Sequence, residues 1–181
     1  MDFLKQLFNR TGLLPLQRKG DIEFEEKHQY KLISNKGFKI ISTIEKGEER
    51  LILYRHFYGD VPENAETSII IGIRVITKEG IHHPDPILKA FFNEEFTNIS
   101  LADIEIEEPL ANNGYGSILL STLIQIAKAK EINSITGWIS KVDSGHLDRL
   151  VHFYKKHDFK VSLEEENKDS YRIGVLKWQN I

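Results

Sequence analysis

Asn112, Asn113, Gly114 and Gly116 stand where an acidic stretch meets an apolar-periodic one, in "EEPLANNGYGSILLSTLIQIAKAK" from Glu107 to Lys130. Glycine and asparagine both tolerate positive φ, so such a turn folds its amides inward. Inward N–H groups add to the positive end of the helix that follows. Together they suit an anion, a phosphate or pyrophosphate. This is not a P-loop, because no Gly-Lys-Ser/Thr follows. Nor is it a dinucleotide fingerprint, because Leu119 stands where that pattern needs a glycine. Taken alone, a Gly-x-Gly here also fits a tight strand-to-helix connection that holds no ligand.

The flanking patterns define the elements that position this turn. In "ISLADIEIEE", Ile104 and Ile106 alternate with Asp103, Glu105 and Glu107, which predicts a strand stopped by Pro109. "SILLSTLIQIAKAK" carries Ile118, Leu119, Leu120, Leu123, Ile124, Ile126 and Ala127 on a broad apolar face and predicts a helix. "INSITGWIS" reads as a strand. "GHLDRLVHFYKKHDF" reads as a helix with Leu147, Leu150, Val151 and Tyr154 at core spacing, and "YRIGVLKW" as a last strand. From about residue 99 the order is strand, helix, strand, helix, strand, an α/β order.

The first hundred residues read mainly as strands. "DIEFEEKHQYKLIS" alternates in part, at Ile22 and Phe24. "FKIISTIEK" and "ERLILYRHFYG" form a hairpin around the intervening "GEE". "ETSIIIGIRVITKEG" has the continuous apolar centre of a strand covered on both faces. The two prolines of "IHHPDP" predict a loop, and "ILKAFFNEEF" fits a short helix or a strand. At the start, Phe3, Leu4, Leu7 and Phe8 share one helical face and predict a short packed helix, with no signal-peptide pattern. No repeat or linker interrupts the 181 residues, so one domain is expected over 1–181.

Composition narrows the classes. Apolar residues make up 40% and charged residues 28%, a globular balance. A net charge of −3 gives no basic footprint for nucleic acid. No apolar run approaches the roughly 20 residues that span a bilayer, so no membrane partner is expected. There is no cysteine, which removes disulfides and thiolate metal sites and fits a cytoplasmic location. His146, His152 and His157 lack metal-ligand spacing, and His82 and His83 read as polar loop residues. No metal is expected.

"ANNGYG" resembles motif A of the GNAT superfamily, the acetyl-CoA-dependent N-acetyltransferases, whose pattern is Arg/Gln-x-x-Gly-x-Gly/Ala. Ala111 stands where the arginine or glutamine is expected. "DRLVHFYKKHDF" is similar to their motif B, a helix ending Phe-Tyr-x-x-x-Gly-Phe. Phe153, Tyr154 and Phe159 match, and Asp158 replaces the glycine. One strand separates the two motifs, as in the family. The resemblance covers about Leu101 to Trp178, and the family's early pair of helices is not evident.

The resemblance implies a fold: a mixed, mainly antiparallel sheet flanked by helices, with the motif-bearing half at about 99–181 and a divergent strand-rich half at about 1–98. It also implies a cosubstrate, acetyl-CoA. Ile106, Glu107 and Glu108 would pair by backbone with the pantetheine arm. The segment Ala111, Asn112, Asn113, Gly114, Tyr115, Gly116 and Ser117 would hold the pyrophosphate. Lys141, Lys155 or Lys156 would meet the adenosine phosphates.

Acetyl transfer to an amine needs a neutral amine, a polarised thioester and a proton for the departing thiolate. Tyr154 matches the family's acid near the CoA sulfur. Glu105, on the face shared by Asp103 and Glu107, is the candidate base. From Phe91 to Leu110 the chain has Glu94, Glu95, Asp103, Glu105, Glu107 and Glu108 and no lysine or arginine. Beside a polyanionic cosubstrate, those acids make sense facing a cationic amine. A polyamine-like compound, an amino sugar, or a protein lysine or N-terminus all fit. The chain is expected to be a monomer or homodimer. The alternative reading is a GNAT-like domain that binds acyl-CoA or a partner without catalysis, with Ala111 and Asp158 as its support.

Overall fold

The computed structural model describes residues 12–56, 66–164 and 171–180, so the expected helix at Phe3–Phe8 lies outside the described residues. These residues group into two compact units, each built from separate stretches of chain.

The first unit holds β1 (Gly12–Leu14), α1 (Ile22–Asn35), β2 (Lys39–Lys46), β3 (Glu49–His56), most of β4 (Ser68–Ile76) and β5 (Ile81–His83), together with the segment Glu105–Tyr115. Its strands run in the order β1-β5-β4-β3-β2, and every pairing is antiparallel. The expected hairpin is β2–β3, with Lys46 paired to Glu49 across its turn. The expected central strand is β4, where Ile69, Ile71, Ile73, Val75 and Ile76 are all fully buried. Burying such a side chain stabilises by about 1.5–3 kcal/mol.

Residues 22–35, expected as a strand, form helix α1. Asp21 caps it, its carboxylate accepting from the Phe24 amide at 3.0 Å, and Glu23 and Glu25 in the first turn suit the helix dipole. The inward stripe is Glu25, Gln29 and Ile33. Two of its three positions are polar, so no apolar 3.6-residue period is visible in the sequence, and the local Ile22/Phe24 alternation stands out instead. The buried polar groups are satisfied in a chain of bonds. The Gln17 amide donates to Glu25 at 2.7 Å, and Gln29 Nε2 donates to Glu25 at 2.8 Å. Arg74 donates to Gln29 and, at 2.8 Å, to Asp85. The Tyr54 hydroxyl closes the chain on Asp85 at 2.6 Å.

"IHHPDP", expected as a loop, contains β5, which pairs with β1 from Gly12↔His83 to Leu14↔Ile81. Pro84 and Pro86 fall just beyond that strand, where they remove no ladder bond.

The second unit holds β6 (Ile87–Phe92), β7 (Asn98–Glu105), α2 (Tyr115–Ala129), β8 (Ser134–Ser140), a 3-10 turn (Lys141–His146), α3 (Leu147–Lys156), β9 (Lys160–Leu163) and β10 (Arg172–Gln179). Its strand order is β6-β7-β8-β10-β9. "ILKAFFNEEF" thus contains a strand, β6. A further strand, β9, lies between α3 and the last strand. The pair β7/β8 is parallel, and α2 is the crossover that such a pair requires. α2 buries Leu119, Leu120, Thr122, Leu123 and Ala127. The fold is therefore mixed α/β, with a largely antiparallel sheet flanked by helices.

Asp158 explains its own departure from glycine. It sits at φ 64, the left-handed conformation that ends many helices. The Phe159 amide donates back to Tyr154 O at 3.1 Å and the Asp158 amide to Lys155 O at 3.1 Å. Aspartate is among the few non-glycine residues that visit this region.

Candidate active site

Strands β7 and β8 pair over Asn98↔Ser134, Ile99↔Ile135 and Ser100↔Thr136, where their ladder ends. Asn98 clasps that stretch: Ser134 donates to its carbonyl at 2.8 Å, and its amide donates to Thr136 at 3.1 Å. Gly137 lets the strands stay close a little further, since a Cβ there would lie 3.2 Å from Leu101 O. Beyond it, β7 continues to Glu105 and β8 to Ser140 without pairing to each other. The burial phase of β7 also shifts at this point. Ile99 and Leu101 are buried, whereas Ile104 and Ile106 are the partly buried positions further on. In that interval Asp103 is exposed, and its carboxylate accepts from the Ile104 amide at 2.8 Å.

The turn after β7 holds two of its four glycine and asparagine residues in the left-handed region. Ile106 is half-buried and Glu107 and Glu108 are exposed. The Leu110 amide donates to Glu107 O at 2.9 Å. The Asn113 side chain braces the loop, donating to Pro109 O at 3.1 Å and Ala111 O at 3.4 Å. Asn112 at φ 64 and Gly114 at φ 85 are the two left-handed residues. Asn112, Asn113 and Gly114 are exposed, and α2 begins at Tyr115 with no acidic residue in its first turn. The positive end of α2 is thus left without a carboxylate of its own first turn. Gly116 and Ser117 follow within that turn. The Ser117 hydroxyl lies 3.1 Å from His157 Nε2. Burial holds the His157 pKa below its usual value, assisted by Lys156 and opposed by Asp158.

Tyr154 lies on α3, edge-on to Phe153 at 5.1 Å and to Phe159 at 5.6 Å. Its pKa is pushed up to about 12, first by burial and then by the charges of Asp103 and Asp143. Tyr54 and Tyr115 donate their hydroxyls to Asp85 and Glu49. Among the described residues, the Tyr154 hydroxyl makes no such bond. Glu105, the candidate base, is exposed at the end of β7. Asp103 is the residue of that acidic strand whose charge reaches the Tyr154 phenol. Lys155 and Lys156 are exposed in the last turn of α3, and Lys141 is exposed after β8. His82 and His83 lie in β5, paired with β1.

Two contacts at the turn have no signal in the sequence. One is the His157–Ser117 pair. The other is the bond from Tyr115 to Glu49, which joins positions 66 residues apart. Among the described residues no three acidic, histidine or cysteine side chains are grouped to hold a metal ion. No described helix is long and apolar enough to cross a membrane.

A parallel strand pair that parts, a turn with two left-handed residues and an acid-free helix start are the features this chain brings to the comparison with known proteins. The family model of the acetyltransferase (GNAT) family matches residues 54–159, more than half of the chain, and the chain belongs to that family. It is 41% identical over 70 residues to the uncharacterized protein YocC of Bacillus subtilis (strain 168), a match covering 39% of this chain and 40% of that protein. The chain thus matches about two fifths of that relative's length. Among solved structures it is similar to a GNAT family acetyltransferase from Elizabethkingia anophelis with acetyl-CoA bound, with TM-score 0.51 and 16% identity over 75% of this chain and 100% of that one. It is also similar to the IAA acetyltransferase from Bacillus cereus ATCC 14579, with TM-score 0.50 and 11% identity over 72% of this chain and 99% of that one. These likenesses establish the fold.

Proposed function

We propose that this protein is an N-acetyltransferase that moves an acetyl group from acetyl-CoA to a primary amine which arrives as a cation. The observation that carries the reading is the turn itself. In a chain of the GNAT family, left-handed Asn112 and Gly114 open onto a helix whose first turn holds no acidic residue. Backbone amides from Asn112 to Ser117 hold the pyrophosphate. Ala111 lies within the loop that Asn113 braces. Ile106, Glu107 and Glu108 lie alongside the pantetheine arm, past the point where β7 leaves β8. The similar Elizabethkingia protein has acetyl-CoA bound, which supports the choice of donor.

The chemistry is a direct transfer. The neutral amine nitrogen attacks the thioester carbonyl, the new C–N bond forms, and the C–S bond breaks. Glu105 first takes the ammonium proton, directly or through water, which leaves the nitrogen neutral for attack; the thiolate takes the phenol proton of Tyr154, and the second proton, shed as the nitrogen becomes an amide, restores the phenol. A phenol with its pKa pushed up to about 12 is protonated at neutral pH, the state a proton donor needs. The exposed acids Glu105, Glu107 and Glu108 draw a cationic acceptor. The reading includes a single functional domain, a cytoplasmic location, a monomer or homodimer, and no nucleic-acid, membrane or metal partner.

The second reading, donor binding without catalysis, rests on Ala111 alone. Asp158 supplies the backbone conformation that a glycine would. A panel of amines with acetyl-CoA separates the two readings. Cationic acceptors are expected to turn over best, with a KM that rises as salt screens the acidic stretch. Better turnover of neutral or anionic acceptors, or a KM indifferent to salt, would contradict the cationic assignment. Donor binding without turnover on any amine would favour the second reading.

A further inference from the structure

Gly114 and Gly116 bring no side chain to their turn, and the residue between them ties it to a distant element. Tyr115 is 1% exposed. Its hydroxyl donates to Glu49 Oε2 at 2.7 Å. Lys46 Nζ lies 3.1 Å from the same carboxylate oxygen and 4.9 Å from the centre of the Tyr115 ring. Lys46 closes β2, Glu49 opens β3, and the two face each other across the hairpin turn. The tip of that hairpin therefore forms a clasp for one phenol: a charge-assisted bond to its oxygen and a cation over its face. Burial, the bond to Glu49 and the Glu49 charge all raise the Tyr115 pKa, so the phenol stays a donor.

An apolar residue of similar size would fill the same space, but it would leave the Glu49 oxygen only its Lys46 partner. The hydroxyl has a use that packing does not explain. Neighbouring Asn112 and Gly114 sit in a conformation that costs most residues free energy, and glycine is free to leave it. A fixed point at the first residue of α2 limits that freedom. We propose that Tyr115, held by Glu49 and Lys46 at the β2–β3 hairpin tip, is a positioning residue that keeps the glycine turn in its anion-binding conformation. This inference rests on the acetyl-CoA reading of the turn.

The test is a calorimetric titration of acetyl-CoA into the full chain and into Tyr115→Phe, Glu49→Ala, the double variant and Glu49→Gln, with the melting temperature of each. Tyr115→Phe and Glu49→Ala are each expected to weaken binding about tenfold, as for loss of one charge-assisted bond. The double variant should bind no more weakly than either single one, because both remove the same contact. Glu49→Gln, which keeps an acceptor for the phenol, should recover most of the loss. A purely structural contact would lower the melting temperature and leave affinity alone. That result, or single effects that add in the double variant, would overturn the anchoring role while the donor reading stands. Failure of the unaltered chain to bind acetyl-CoA would remove both.

Discussion

Replacing Tyr154 by phenylalanine is expected to lower kcat by about 10²-fold or more while acetyl-CoA affinity stays nearly constant. The substitution keeps the ring, so the edge contacts with Phe153 and Phe159 persist. It removes only the hydroxyl, which donates to no described residue, so little stability should go with it. The pKa, pushed up to about 12, adds a further expectation. The phenol is protonated throughout the neutral range, so the loss should be the same at about pH 7 and about pH 9. A stable variant with a large kcat loss supports the acid role. A large stability loss with normal kcat would make Tyr154 a packing residue, and no change in either would mean that water protonates the thiolate. Steady-state kinetics beside a thermal melt distinguish the three.

Gly114→Glu should weaken acetyl-CoA binding by about 10²-fold or more, since a like charge held against a phosphate costs several kcal/mol. The site has room for the change, because a Cβ at Gly114 meets nothing within 4 Å. The backbone is the obstacle. At φ 85 a non-glycine residue adds strain of about 1–2 kcal/mol, which a folded domain of this size survives. Gly114→Asn separates strain from charge, since asparagine tolerates the left-handed region and carries no charge. The asparagine variant should keep most of the affinity, measured by titration, and the glutamate variant should lose it. Equal affinity in the folded glutamate variant would mean that the turn holds no anion.

The parts of the fold legible in the sequence were those whose burial is apolar. The hairpin Lys39–His56, the buried strand through Ile69–Ile76 and the helix with Leu119, Leu120 and Leu123 each put a readable period of hydrophobic residues on an inward face. Helix α1 escaped because Glu25 and Gln29 occupy its inward positions. They are satisfied there by each other, by the Gln17 amide and by Arg74, which Asp85 holds in turn, and the last two lie far along the chain where no local pattern encodes the contact. β5 escaped because the prolines that suggested a loop stand just after the strand. At the candidate site, the left-handed turn and the helix that carries Tyr154 were legible because backbone conformation and helix spacing are local properties. The contacts made beside the turn are not local. Glu49 meets Tyr115 across 66 positions, and His157 meets Ser117 across 40. The departure of β7 from β8 depends on pairing register, which the alternation of one strand does not contain.

The proposed role of the turn from Asn112 to Ser117 is to hold the pyrophosphate of acetyl-CoA. A thermal melt of the full chain against increasing acetyl-CoA tests it most directly. A ligand at 100 times its Kd stabilises the folded state by about 2.7 kcal/mol. The melting temperature is therefore expected to climb with acetyl-CoA, and in the Gly114→Glu variant to climb only at concentrations about 10²-fold higher or more. A melting temperature indifferent to acetyl-CoA in the unaltered chain would contradict the account.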